Sequence, residues 1–448
     1  MGRLFGTDGV RGKAGDYPLD PATVRRLGAA LARALREGER TVRFLAGRDT
    51  RESGGWIERE LAFGIGSQRG ILTSAGVLPT PAIAYLTPRM AYTAGVVISA
   101  SHNPFEDNGI KVFSGAGEKF TEALEQRVEA IVADDSWAVP AGDAGAVEEI
   151  DYRSAYVDHL LEILPPALRR RHLRVVIDCA NGATTTVAPR VFEELGVEAR
   201  CIGCAPDGRN INLRCGSTSP EGLARTVVAG QYDLGIAYDG DGDRAILVDT
   251  RGRIVDGDAM MLMCAKQLKA EGRLKGDAIV ATVMSNIGLE IALRDAGIGL
   301  VRCQVGDKYV MEEMLRRGLV LGGEQSGHVI FSDYLSTGDG LATSLNVLRT
   351  MATSGRSLAD LASDLTTYPQ VLMNLRVQQK VDLKTIPEVA GVMARVEQHL
   401  AGQGRLLVRY SGTEPLLRVM LEGRDESEIR RLGQEIIDAV REHVGVAV

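Results

Sequence analysis

Long apolar segments and an excess of basic residues are both missing from this 448-residue sequence. No stretch reaches the roughly 18 uninterrupted apolar residues that a membrane-spanning helix needs, so no membrane partner is expected. Acidic residues outnumber basic ones by 59 to 52, and the net charge is −7. This balance argues against nucleic-acid binding, since an anionic ligand would have to meet local rather than overall positive charge. A small-molecule partner is expected.

Cysteine is also scarce, with six residues in the whole chain. That density is typical of reduced cytosolic thiols rather than of a disulfide framework. Cys201 and Cys204 form a lone CxxC pair, and packing is favoured over zinc binding because no second pair or suitably spaced histidines accompany it. The first residues contain no apolar region of a signal peptide, so a soluble, cytoplasmic protein is expected.

The composition that remains is 45% hydrophobic and 25% charged, which is typical of a globular protein too long for one domain. Short β-branched runs alternate with amphipathic helical segments, whereas the last stretch has an α+β pattern. The sequence predicts three similar α/β domains with mixed sheets, followed by a smaller α+β C-terminal domain around a central cleft. Polar or Gly/Pro/Ala-rich interruptions place these domains at residues 1–145, 146–252, 253–366 and 367–448.

Individual elements can be predicted from the same patterns. The predicted strands are residues 42–46, 95–98, 173–177, 234–238, 278–283, 319–321, 371–377, 405–410 and 417–421. A closing helix is predicted from 426 to about 443. Asp20 and Pro21 predict the start of an earlier helix, because Asp20 can cap it and Pro21 suits its first turn.

Four short polar loops follow strand-like runs and carry the chemistry of the chain. They are residues 101–104, 239–244, 323–328 and 409–413. The first offers a serine hydroxyl, the second a cluster of carboxylates, the third groups that hydrogen-bond to a sugar, and the fourth a basic phosphate cradle. Open α/β sheets bind ligands at such strand ends. The four loops together predict a phosphoryl-transfer site.

The second loop places three carboxylates at alternate positions separated by glycines, namely Asp239, Asp241 and Asp243. A tight turn can gather them around one Mg²⁺ ion. An EF-hand is excluded, because Arg244 stands where that loop needs glycine and Thr250 where it needs glutamate. An aspartyl nucleophile of the haloacid-dehalogenase type fits poorly. A plain Gly-Asp turn explains the glycines but not three convergent acids, whose repulsion needs a cation.

Ser101, in the first loop, is the candidate nucleophile. No Ser-His-Asp order and no Gly-x-Ser-x-Gly elbow surrounds it, so acyl transfer is not indicated. A serine that carries a phosphate beside a metal loop would suit phosphoryl transfer. Taken alone, this loop could equally be a capped turn.

All four loops resemble, in order, the motifs of the α-D-phosphohexomutase family along the full chain. Residues 99–104 resemble its phosphoserine loop, 239–244 its magnesium loop, 323–328 its sugar-binding loop and 409–415 its phosphate-binding loop. Within the family, the chain is most similar to the bacterial branch that acts on glucosamine phosphates. The similarity rests on the opening Phe-Gly-Thr-Asp-Gly-Val-Arg-Gly of residues 5–12, on Gln325 and on Ser99.

This resemblance implies reversible interconversion of glucosamine 6-phosphate and glucosamine 1-phosphate, which supplies UDP-N-acetylglucosamine for cell-wall synthesis. Phosphorylated Ser101 would donate its phosphoryl group, and a bound 1,6-bisphosphate would return the other. A hexose 1,6-bisphosphate would prime the idle enzyme, and the family often forms homodimers. Three alternatives stay open: a mutase for glucose or mannose phosphates, a Mg²⁺-dependent sugar phosphatase, and a sensor of sugar phosphates.

The resemblance also assigns roles to individual residues. The metal would be held by Ser101 through its phosphate and by Asp239, Asp241 and Asp243. The substrate would be held by Glu324, Gln325, Ser326, Arg409, Ser411, Gly412, Thr413 and Arg418. Lys111 and His328 are the candidates for proton transfer, although Lys111 could only balance charge and His328 could only contact the sugar. Arg11 and Arg244 are expected to assist electrostatically or to form plain ion pairs.

Overall fold

The computed structural model describes residues 4–6, 8–169, 173–411 and 415–445. The chain forms two compact units, Met1–Met284 with Val301–Ser363, and Ser285–Leu300 with Asp364–Val448. Three mixed sheets precede a smaller antiparallel one in the sequence, which confirms the predicted fold class. The domain boundaries stay predictions. No helix in the described part of the chain has the length and apolar character needed to cross a membrane.

The first sheet contains β1 (Val10–Lys13), β2 (Arg43–Arg48), β3 (Ile71–Val77), β4 (Ala94–Ile98), β5 (Asp107–Ser114) and β6 (Glu148–Glu149). Its order is β1-β5-β4-β2-β3-β6, and β5 runs antiparallel to both its neighbours. The accompanying helices are α1 (Pro21–Ala34), α2 (Gly54–Ser67), α3 (Thr80–Arg89) and α4 (Glu122–Ala133). Asp20 caps α1 as predicted, accepting from the Thr23 amide at 3.0 Å. At Gly64 of α2 a Cβ would lie 2.0 Å from the Arg25 carbonyl, so glycine allows α1 and α2 to touch.

The second sheet has the order β11-β10-β9-β7-β8. Strand β7 runs parallel to both β8 and β9, whereas β10 runs antiparallel to β9. Its strands are β7 (Arg174–Asp178), β8 (Glu198–Ile202), β9 (Leu234–Tyr238), β10 (Ala245–Asp249) and β11 (Ile254–Val255). The helices of this region are α5 (Arg153–Leu161), α6 (Ala188–Glu194) and α7 (Glu221–Gly230). All of β9 is buried, which explains why its sequence is a continuous apolar run.

The third sheet has the order β13-β12-β14-β15. Its strands are β12 (Ala278–Thr282), β13 (Gly299–Cys303), β14 (Leu321–Gly323) and β15 (Val329–Phe331). The helices are α8 (Gly257–Ala270), α9 (Ile287–Asp295), α10 (Asp307–Arg317), α11 (Gly340–Ser354) and α12 (Leu358–Ala362). The strand predicted at 319–321 is wrong by two residues, because β14 pairs through Gly322 and Gly323. A Cβ at Gly322 would lie 2.7 Å from the Met314 sulfur, so packing requires a glycine that an apolar pattern does not reveal.

The C-terminal sheet is antiparallel, with the order β16-β18-β17. It contains β16 (Gln370–Arg376), β17 (Arg405–Tyr410) and β18 (Leu416–Glu422), with helices α13 (Pro387–Leu400) and α14 (Glu426–Val444). Alternate residues Leu417, Val419 and Leu421 face a core that both helices complete. The predicted strands and closing helix here are confirmed to within one residue at each end.

Candidate active site

Ser101 lies in the loop after β4, where its hydroxyl meets the aspartate loop. The hydroxyl donates to Asp239 Oδ2 at 2.5 Å, and the amide of Ser101 donates to Ser99 Oγ at 2.9 Å. Ser101 has φ +52°, a left-handed conformation that few residues other than glycine adopt, and it is only 1% exposed. The structure thus brings the predicted nucleophile to the predicted metal loop.

A buried ion pair supports the serine loop from beneath. Arg51 is paired with Asp49, and its Nη2 donates to the carbonyls of Ser101 at 3.2 Å and Asn103 at 2.6 Å. Asp49 Oδ2 also accepts from Ser99 Oγ at 2.5 Å. Sequence reasoning missed this pair. It follows the C-terminal end of β2, so the strand-end rule that found the other loops would have found it too.

The three loop aspartates converge after β9, where one carboxylate oxygen from each lies within 4.8 Å of the other two. They are buried, and Asp241 Oδ1 and Asp243 Oδ1 have no hydrogen-bond partner among the described residues. Burial and the two neighbouring carboxylates raise the pKa of Asp239 well above its usual range. Buried oxygens without partners and mutually repelling carboxylates suit a divalent cation, so this group can hold a metal.

Gly240 explains how the two loops come so close. A Cβ at this position would lie 2.5 Å from the carbonyl oxygen of Ser101. Any other residue would therefore push the serine away from the carboxylates. The Gly-Asp spacing of the second loop thus serves contact between loops as well as the turn itself.

Lys111 lies on β5 and points its ammonium group into the carboxylate cluster. Its Nζ is 2.8 Å from Asp241 Oδ2, 3.3 Å from Asp243 Oδ2 and 3.1 Å from Asp8 Oδ2. Although burial opposes the charge, Asp241, Asp8 and Asp243 together raise the pKa of Lys111 well above its usual value. Lys111 is therefore an ammonium ion that balances the carboxylates.

An open cavity of about 450 Å³ lies in front of these loops. This volume suits a phosphorylated sugar. The predicted site residues that line it are Arg11, Asp243, Arg244, Glu324 and His328. The structure therefore gathers residues from the first three sequence regions around one cavity.

Arg11 and Arg244 bring positive charge to the cavity. Arg11 is paired with Asp8 and donates to the Ala100 carbonyl at 3.4 Å. The amide of Arg244 donates to Asp239 Oδ1 at 3.1 Å, and its Nε has no hydrogen-bond partner within the described ranges. Burial opposes the charge of Arg244, but Asp243 and Asp239 raise its pKa. Both arginines are placed to meet an anionic ligand.

His328 lies between carboxylates at the wall of the cavity. Its Nε2 accepts from the Gly338 amide at 3.1 Å, and its Nδ1 is 3.7 Å from Asp243 Oδ1. Burial opposes protonation, whereas Asp243 and Asp307 raise the pKa of His328. Since the Nε2 lone pair is already engaged, His328 is better placed to donate through Nδ1 than to accept a proton.

Within the loop of residues 323–328, the three residues predicted to contact the sugar differ in their surroundings. Glu324 lines the cavity, and its Oε1 accepts from the Gly306 amide at 3.1 Å. Ser326 Oγ is 3.5 Å from Glu324 Oε2. Gln325 instead donates to Asp256 Oδ2 at 3.1 Å, where Asp256 caps α8, and it does not line the cavity.

The residues predicted to bind phosphate belong to the second compact unit. Arg409 of β17 and Arg418 of β18 are direct cross-strand partners, and neither forms an ion pair within the described residues. Like charges in this position are unfavourable unless an anion joins them. The carbonyl of Ser411 accepts from Lys380 Nζ at 2.7 Å. Gly412 and Thr413, also predicted here, lie outside the described residues.

Comparison with known sequences places this chain in a family. Profiles of phosphoglucomutase/phosphomannomutase match residues 2–138 and 154–252 as alpha/beta/alpha domains I and II, 256–368 as alpha/beta/alpha domain III, and 372–439 as the C-terminal domain. A phosphoglucosamine mutase of Syntrophotalea carbinolica is 48% identical, covering 99% of this chain and 98% of the relative. Another, from Geobacter sp. strain M21, is 47% identical, with 99% of both chains covered.

Solved structures share the fold. A phosphoglucomutase/phosphomannomutase family protein of Burkholderia thailandensis matches with a TM-score of 0.81 at 23% identity, covering 98% of this chain and 97% of its own. An Aspergillus fumigatus N-acetylphosphoglucosamine mutase, solved in complex with GlcNAc-6P and magnesium, matches with a TM-score of 0.65 at 18% identity, covering 98% and 95%. The predicted family resemblance is thereby confirmed, and the chain belongs to the phosphoglucomutase/phosphomannomutase family of α-D-phosphohexomutases.

Proposed function

We propose that this protein interconverts glucosamine 6-phosphate and glucosamine 1-phosphate, the activity of a phosphoglucosamine mutase. The 47–48% identity to full-length relatives of that name supports this substrate. The structural observation that carries the proposal is the 2.5 Å hydrogen bond from Ser101 Oγ to Asp239, within a group of three buried carboxylates beside a sugar-sized cavity.

The reaction proceeds by two phosphoryl transfers. In the first, the bond between phosphorus and Ser101 Oγ breaks as the free hydroxyl of the substrate forms its own bond to phosphorus. The substrate hydroxyl releases its proton to water in the open cavity, and the serine oxygen takes one from Lys111; the second transfer reverses both movements, so that Lys111 regains its proton from the serine. The 1,6-bisphosphate then turns, and its other phosphoryl group returns to Ser101. Arg11 and Arg244 stabilise the anionic substrate during both transfers, since both line the cavity.

Mg²⁺ is the proposed metal. Asp239, Asp241 and Asp243 would hold it, because hard carboxylate oxygens are its preferred protein ligands and two of theirs have no other partner among the described residues. When bound, the ion neutralises negative charge on phosphoryl oxygens.

Proton transfer is assigned to Lys111. Its three carboxylate neighbours keep it charged, so it is suited to give a proton to the serine oxygen rather than to take one from the substrate. His328 is assigned to substrate contact, because its Nε2 already accepts from Gly338. A homodimer and a cytoplasmic location stay predictions.

Sugar preference is the measurement that tests this function. We would compare kcat/KM for glucosamine 1-phosphate and glucose 1-phosphate, with Mg²⁺ and glucose 1,6-bisphosphate as primer. A ratio above about ten, which corresponds to about 1.4 kcal/mol in transition-state binding, is expected. A ratio below one would move the protein to the glucose or mannose branch. Release of inorganic phosphate in place of the isomer would identify a phosphatase.

A further inference from the structure

Two side chains outside the four loops hold the same two carbonyls of the serine loop. Arg51 Nη2 donates to Ser101 O at 3.2 Å and to Asn103 O at 2.6 Å. Asn212 Nδ2 donates to the same oxygens at 2.9 Å and 3.2 Å. Arg51 follows β2 of the first sheet, whereas Asn212 lies between β8 and α7 of the second region. The serine loop is therefore gripped from two sides.

Each donor is itself fixed in place. The Arg51 side chain is completely buried and paired with Asp49. Asn212 has φ +58°, and its amide donates to the Ala180 carbonyl at 2.8 Å. Ala180 lies in the loop after β7, and in that loop the amide of Ala183 donates to the carbonyl of Gly240 at 2.8 Å. Asn212 thus connects the serine loop to the segment that supports the aspartate loop.

These two hydrogen-bond donors hold a residue whose backbone is strained. The left-handed conformation of Ser101 is less favourable than ordinary backbone for any residue other than glycine. Since the carbonyl of Ser101 accepts from both donors, losing either one leaves a single hydrogen bond to oppose rotation of this peptide. Rotation would carry Oγ away from Asp239, which it now meets at 2.5 Å.

We propose that Asn212 and Arg51 are positioning residues for phosphoryl transfer, which hold the peptide of Ser101 so that its side-chain oxygen faces the aspartate loop. This inference rests on the proposed function. Neither residue lines the cavity, so each acts through Ser101 and not on the substrate. Their loss should therefore lower kcat and leave KM nearly unchanged.

The test compares Asn212→Ala with Asn210→Ala as a matched control. Asn210 lies in the same loop, and its side chain hydrogen-bonds locally, donating to the Ala205 carbonyl and accepting from the Asp207 amide. Its backbone carbonyl accepts from Asn181, a contact that alanine keeps. We expect kcat of Asn212→Ala to fall about 10- to 100-fold, the scale of a misplacement of about 1 Å, with KM within about twofold. The fraction of Ser101 phosphorylated by glucose 1,6-bisphosphate, measured by mass spectrometry, should fall as well. Asn210→Ala should keep the wild-type kcat.

Arg51→Lys provides an independent second variant. Lysine keeps the charge but lacks the planar fork that pairs with Asp49 through Nη1 while Nη2 reaches both carbonyls, so kcat should again fall with KM unchanged. A kcat for Asn212→Ala or Arg51→Lys within twofold of wild type would overturn the inference, as would an equal fall in Asn210→Ala. Failure of the proposed function is distinguishable, because the wild-type protein itself would then show no mutase activity.

Discussion

The two compact units differ in whether their polar groups have partners. The contrast is between the serine and aspartate loops of the first unit and the arginine-bearing strands of the second. Ser101 and Lys111 are buried and bound to carboxylates. Arg409 and Arg418 face each other across two strands, with no carboxylate bound to either among the described residues. The first arrangement holds its groups in place without substrate, whereas the second leaves two like charges facing each other. In the proposed mechanism the reacting groups are therefore preorganised, and the groups assigned to the phosphate are open to it.

The largest effect on kcat is expected from replacing the proposed nucleophile, Ser101. Ser101→Ala removes the only oxygen that can carry the phosphoryl group in the proposed mechanism, so kcat should fall more than about 10⁴-fold. The conversion of glucosamine 1-phosphate with bisphosphate primer measures this. Ser154→Ala, at an exposed position on α5, is the control and should keep full activity.

Thermal unfolding separates loss of chemistry from loss of structure in this variant. Alanine in a left-handed conformation is strained like serine, so Tm should change by only a few degrees. Activity of Ser101→Ala within tenfold of wild type would show that another group carries the phosphoryl group. The buried serine would then not be the reacting group of the first unit.

The sequence predicted the loops well because each is local: a strand, a turn and a few polar residues in one short segment. The support beneath them was only partly predictable. Asp49 and Arg51 directly follow β2, where the strand-end rule applies, but Asn212 lies more than 100 positions from the serine loop and meets it only in the folded structure. The same holds for Thr80, whose hydroxyl donates to Asp241 Oδ2 at 2.6 Å across 161 positions. Patterns of apolar and polar residues carry no information about such long-range partners.

The next largest effect is expected at the carboxylates. Asp241→Asn removes one charge from the proposed metal ligands, and kcat at fixed Mg²⁺ should fall at least about 100-fold. The Mg²⁺ concentration for half-maximal rate should rise in parallel. Wild-type protein should also gain Tm when Mg²⁺ is added, because the ion binds only the folded site, and this gain should shrink in the variant.

An exposed acid gives the matched control for that experiment. Asp277→Asn changes the same group at a position remote from the loops, in the turn before β12, and should leave the Mg²⁺ dependence unaltered. If Asp241→Asn kept the wild-type requirement for Mg²⁺, the ion would have to bind elsewhere.

A smaller effect, on KM instead of kcat, is expected at the two cross-strand arginines, which have no ion-pair partner among the residues that the structure describes. Arg409→Ala should raise KM about 10- to 100-fold, the range of a lost hydrogen bond between charged groups, and change kcat less than fivefold. Arg395→Ala, whose side chain pairs with Glu435 on the surface, should leave both constants unchanged. A fall in kcat with constant KM would mean that Arg409 acts in the chemical step, and the division between preorganised and open groups would fail.

The smallest effect is expected at Gln325, which the family resemblance assigns to the substrate. Its side-chain amide donates to Asp256, the N-cap residue of α8. The Gln325 side chain therefore already has a hydrogen-bond partner, unlike that of Arg409 within the described part of the chain. Gln325→Ala should therefore cost about 1 kcal/mol of stability and change kcat/KM less than threefold. Denaturant unfolding and the ratio of kcat/KM for glucosamine and glucose 1-phosphates measure the two quantities. A tenfold loss of preference for the amino sugar, with stability intact, would instead show that Gln325 leaves Asp256 when substrate binds and contacts the sugar directly.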